Sequence, residues 1–114
     1  MAITQLYSGT EAVSTTEHSC VNDSSSIAAD TTDGVFQLHL DLSDMVAGDE
    51  LQIRCYEKCR SGDTQRIVWQ SNLVGAQSPP YFVSPSLILM HGWDFTLDAI
   101  AGTITVLWSI RQVA

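Results

Sequence analysis

A chain of 114 residues with 45% apolar side chains has room for a single domain with a core of its own. Thirteen Asp and Glu against five Lys and Arg leave a formal net charge of −8, which opposes nucleic acid as a partner because that binding rests on neutralising phosphates. No apolar run nears the roughly 20 residues that span a bilayer, and MAITQLYSGTEAV lacks the basic start and long apolar middle of a signal peptide, so no membrane partner is expected and assembly in a cytosol is.

The opening segments ITQLYSG and TEAVSTTEHSCV are polar and rich in Thr and Ser. They carry little apolar surface, so residues 1–21 read as an edge strand or arm, with residues 22–114 as the body of the same domain. NDSSSIAADTTDG is a loop by composition. Within it, DTTDG (30–34) reads as an Asx-type turn into the next strand, since the further oxygen ligands of a calcium loop are not at the required spacing.

Strict alternation follows. GVFQLHLDLSDM sets Phe36, Leu38, Leu40 and Leu42 on one face and Gln37, His39 and Asp41 on the other, the pattern of a half-buried strand. SDMVAGD predicts a tight connection with one helical turn, ended by Gly48. ELQIRCYEK then places Leu51, Ile53 and Cys55 opposite Gln52 and Arg54, and RSGD signals a hairpin into TQRIVWQSNLVG. YFV is a short strand before Pro85, and SLILMHG is apolar enough to be covered on both faces. WDFTLDA points Trp93, Phe95 and Leu97 one way, AIAGT is a turn, and TITVLWSIRQV points Ile104, Val106, Trp108 and Ile110 inward. With about seven or eight short strands and no amphipathic helix, the predicted fold is an all-β antiparallel sandwich, jelly-roll or Greek-key-like, with its strand order open.

Nothing in the sequence has the spacing of a catalytic motif: G-x-S-x-G, a phosphate-binding glycine loop and H-E-x-x-H are all missing. Neither enzymatic activity nor a metal or cofactor is expected. The stretch LILMHGWDFTL gathers a His, a Trp and an Asp around Gly92, but strand alternation sends Trp93 and Asp94 to opposite faces. The expectation is a strand, a bend at Gly92 and a second strand, with Trp93 in the core and Asp94 satisfied by solvent or a backbone N–H. Trp69, Trp93 and Trp108 are the candidate core anchors. Cys20, Cys55 and Cys59 are odd in number, and on a continuous strand Cys55 and Cys59 stand too far apart to bond, so the thiols are expected to be free. Four of the five cations, Arg54, Lys58, Arg60 and Arg66, fall in one short segment, whereas nine of the thirteen acids lie between Glu11 and Glu50. This polarity reads first as a solvated, solubilising surface, and in a sharper reading as electrostatic docking onto a neighbouring subunit.

The runs YFVSPSLILMHGWDFTL and LDLSDMVAGDELQIRCYEK, with the opening MAITQLYSGTEAVSTTEHS, resemble small virion structural proteins of tailed bacteriophages over most of the chain. The resemblance implies a β-sandwich that decorates the outside of the head as a cement protein. Its partners would be the major capsid protein and further copies of itself, as a homotrimer or homodimer. No catalytic residue comes with it. A tail or head–tail joining component is the alternative, and a carbohydrate-binding sandwich is a third. For the decoration role, the candidate interface comprises Tyr7, Tyr56 and Tyr81, which bring large area at small entropic cost, together with Arg54, Lys58, Arg60 and Arg66 facing an acidic strip.

Overall fold

The computed structural model describes residues 2–113; Met1 and Ala114, the outermost residues of the two predicted spans, lie outside the described residues. Its strands are β1 (Ile3–Val13), β2 (His18–Ser19), β3 (Gly34–Asp41), β4 (Glu50–Glu57), β5 (Arg66–Val74), β6 (Tyr81–Val83), β7 (Leu87–Leu89), β8 (Asp94–Ala101) and β9 (Ile104–Val113). Alternation builds the centre of each sheet. β3 buries Phe36, Leu38 and Leu40 completely, and β9 buries Ile104, Val106 and Ile110. The two pair antiparallel from Val35–Val113 to Asp41–Leu107. β1 adds to the far side of β9 along its whole length, from Ile3–Val113 to Val13–Ile104. It is therefore an edge strand of the sandwich.

The first sheet has the order β1-β9-β3-β6, with β7 also on β3; the second has the order β2-β8-β4-β5. Successive strands cross between sheets except at the β4–β5 hairpin and between β6 and β7. Once β6 and β7 are counted as one interrupted strand, this is the eight-stranded jelly roll. The interruption has a local cause. β6 pairs with the Asp41 end of β3 and β7 with the Gly34 end. Between them, Pro85 has no N–H to give. Ser84 bridges the gap: its N–H donates to the Leu38 carbonyl at 2.9 Å and its Oγ accepts from the Leu38 N–H at 2.9 Å.

Three sequence expectations need correction. Ile88 of SLILMHG is 80% exposed, because the outer face of this sheet is open. Residues 43–49 form turns with no helical turn, Gly48 taking φ 95°. Strand β8 runs through Ala101, so the AIAGT turn narrows to Gly102 and Thr103. The described residues include no helix long and apolar enough to cross a membrane.

The core is aromatic at one end. Trp93 is fully buried, with ring centroids 4.4 Å from Phe36, 6.0 Å from Phe95 and 6.4 Å from Tyr7. Trp108 lies over Gly9 of β1, where a Cβ would fall 2.4 Å from the indole; only glycine permits that approach. Trp69 sits on edge strand β5, where one flank is open. It is half-buried against Phe82 at 6.1 Å, closing the side of the sandwich rather than filling its middle.

Candidate functional site

The segment around His91 and Asp94 is a structural latch. Asp94 is fully buried and accepts from the backbone N–H of Ala28 at 2.9 Å and of Val21 at 3.4 Å, so it pins the loop between β2 and β3 against β8. Burial pushes its carboxyl above the usual Asp range, against the pull of the hydroxyl of Ser19 and of these N–H groups. The N–H groups of Met90 and His91 both donate to Glu57 Oε2, at 2.6 and 3.1 Å, and Trp93 Nε1 donates to the Thr32 carbonyl at 2.7 Å. Nearby, Asp30 uses one carboxylate oxygen on the Thr32 N–H, forming the Asx turn, and the other on the Tyr7 hydroxyl.

The seven predicted interface residues separate into four places. Tyr7 turns inward, because a bulge between Gln5 and Tyr7 shifts the register and sets Tyr7 beside Ile110. Its bond to Asp30, with burial, pushes its hydroxyl up to about 12. Tyr81 stays exposed on β6, its hydroxyl 3.0 Å from His39 Nδ1. Arg54 and Tyr56 lie on the outer face of the second sheet and converge on Glu17. The Tyr56 hydroxyl donates to Glu17 at 2.7 Å, Arg54 Nη1 at 3.4 Å, and the buried Thr96 hydroxyl donates to the same oxygen. Arg54 is thereby paired and offers little free charge.

Lys58, Arg60 and Arg66 are brought together at the β4–β5 hairpin. They rim an open basin of about 850 Å³ whose wall includes Ile67 and Val68, both about half exposed. Arg60 is held by Asp63 through bonds at 3.0 and 3.1 Å, and the carboxylate of Glu57 is taken by the β7–β8 turn. Among the described residues Lys58 and Arg66 form no salt bridge. Cys59 lies exposed on the same rim, whereas Cys20 and Cys55 are buried, and all three thiols are free.

A second surface escaped the sequence reading. The pairing register sets Ile3, Val113, Val35 and Ile88 side by side across the outer face of the first sheet. Ile3 is 66% exposed, and Met90, half exposed, extends this aliphatic band beyond β7. Below it run Gln5, Arg111 and Gln37, then Ser8, Ser109, His39 and Val83, then Thr10, Leu107, Asp41 and Tyr81. Among these residues only Arg111 and Asp41 carry full charge. The alternation of β3 and β9 was visible in sequence, but the band exists only once four separate strands share a register.

No protein-family model matches the sequence, and no curated protein matches it. Solved structures share the fold. A crystal structure of PirA matches over 94% of both chains with 9% identity and a TM-score of 0.55. The Bacillus endospore appendage, described as a novel family of disulfide-linked pili, matches over 97% of this chain and 88% of its own, with 14% identity and a TM-score of 0.50. Such low identities establish a shared β-sandwich and nothing narrower.

Proposed function

We propose that this chain is an accessory structural protein of a virus particle, a decoration protein that lies on the outside of a bacteriophage head and bridges neighbouring major capsid protein subunits. The observation that carries the reading is the outer face of the first sheet. Four strands at a spacing of about 4.8 Å, each about 25 Å long, present a flat face of roughly 500 Å². It is almost free of charge in a chain that carries eighteen charged residues, thirteen acidic and five basic, and an aliphatic band crosses it from edge to edge. A broad, nearly uncharged face crossed by an aliphatic band fits another protein surface better than a small molecule. One such footprint is below the standard size for a stable complex, about 800 Å² per partner, so tight binding to a shell calls for copies joined to one another, as the expected homo-oligomer would be. The likeness of the sequence to tailed-phage virion proteins points the same way, to a protein assembled in the host cytoplasm and carried on the virion.

The test is co-sedimentation of the purified protein with expanded heads that lack it. The wild-type chain is expected to bind, and Ile88→Glu with Ile3→Glu to weaken binding about tenfold or more. Both side chains project into solvent, so the unfolding temperature should not move. Failure of the wild-type chain to bind heads overturns the proposal, and immunogold label along the tail would favour the joining alternative.

A further inference from the structure

We infer that the hairpin basin is a docking site for the acidic β3–β4 turn of a second copy of this chain. The basin offers two unpaired cations, Lys58 and Arg66, beside two exposed aliphatic side chains, Ile67 and Val68. Its complement lies at the other end of β4. Residues 42–50 hold three carboxylates, Asp44 exposed, Glu50 half-buried and Asp49 buried behind them, and no Lys or Arg. Each of the three is hydrogen-bonded only to uncharged groups: Asp44 to the Thr105 N–H, Asp49 to the Val46 N–H and Glu50 to the Asn72 amide. These bonds hold the turn in one shape without neutralising it. At its tip Val46 is 60% exposed beside the exposed Asp44, while Lys58, Arg60 and Arg66 line the basin around Ile67 and Val68, with its acids Glu57 and Asp63 already bonded to the β7–β8 turn and to Arg60.

β4 is eight residues long, so the two patches stand about 25 Å apart on one molecule and a turn cannot reach its own basin. The contact must form between copies. It joins two different patches, so a copy docked at its basin still offers its turn, and association continues until a ring closes or a chain stays open. The sheet face takes no part in this contact, so it stands or falls independently of docking to a head.

Sedimentation velocity on the full chain tests the inference. Self-association is expected at low salt and to weaken about tenfold or more between about 20 and about 500 mM NaCl, as the Debye length shrinks. Lys58→Glu with Arg66→Glu reverses the basin, and Asp44→Lys with Val46→Lys and Glu50→Lys reverses the turn. Each variant alone should be monomeric, and an equimolar mixture of the two should associate again, because each reversed patch then meets its new complement. Circular dichroism identifies any variant that has not folded. Should the triple variant fail to fold, Val46→Lys alone is expected to weaken association. A wild-type chain that stays monomeric at low salt, association indifferent to the basin variant, or reversed pairs that fail to rescue one another would overturn the inference.

Discussion

Asp94 shows what one buried carboxylate does in this molecule. It belongs to β8, yet its bonds run to Val21 and Ala28 and tie a long loop down. Asp94→Ala would leave two backbone donors without an acceptor, at about 1–3 kcal/mol for each fully buried group, so a loss of about 2 kcal/mol or more is expected in urea unfolding. The sign of its pH dependence follows from burial. A carboxyl raised on folding contributes stability that is complete below the ordinary Asp value and is lost as pH rises through the raised one. As pH rises from below the ordinary Asp value through the raised one, Asp94→Asn should therefore gain on the wild-type chain. A parallel pair of pH–stability curves would show that Asp94 is not the group responsible. The sequence identified Asp94 as a residue satisfied by solvent or a backbone N–H; which N–H it meets was illegible, because Ala28 lies 66 positions away.

At the scale of elements, the strands that could be read were those with one dry face and one wet face. β3 and β9 alternate cleanly, each lying inside its sheet over the core, and β4 does so in sequence although Gln52 on its outer face is buried as well. β1 was harder, since its apolar content is low and its place depends on the ladder it forms with β9. The same limit applied to the predicted interface. Arg54 is a near neighbour of Lys58 in sequence, but β4 carries it to a sheet face and into the grip of Glu17, while Lys58 passes into the hairpin. The β6–β7 break offers a direct check. Ser84→Ala removes the only acceptor of the buried Leu38 N–H among the described residues. It should cost about 1–3 kcal/mol, and the Leu38 amide should lose protection in hydrogen exchange while amides in the β4–β8 ladder keep theirs. Unchanged Leu38 protection would mean that the ladder closes over the break without the hydroxyl.

For the whole molecule the governing quantity is charge. A body about 40 by 32 by 19 Å carries a formal net charge of −8, and among the described residues only Arg54–Glu17 and Arg60–Asp63 pair an Arg or Lys with an acid. Self-repulsion thus outweighs the attractions that salt would screen. Moderate salt should raise the unfolding temperature by a few degrees even as it dissolves contacts between copies, and calorimetry beside sedimentation can read the two opposite trends. A fall in unfolding temperature would mean that the few ion pairs matter more than the net charge. This balance was legible from composition alone. The division into an acidic turn and a basic basin was not, because it depends on which end of β4 each loop leaves.

The distribution of the three thiols has a practical consequence. Burial pushes Cys20 and Cys55 well up, so both stay protonated and shielded, while Cys59 stands in solvent on the rim of the basin. The unmodified chain therefore carries one reactive handle. A maleimide dye attached there would dim, brighten or change its tumbling when the hairpin meets a partner, giving a docking sensor that needs no mutation.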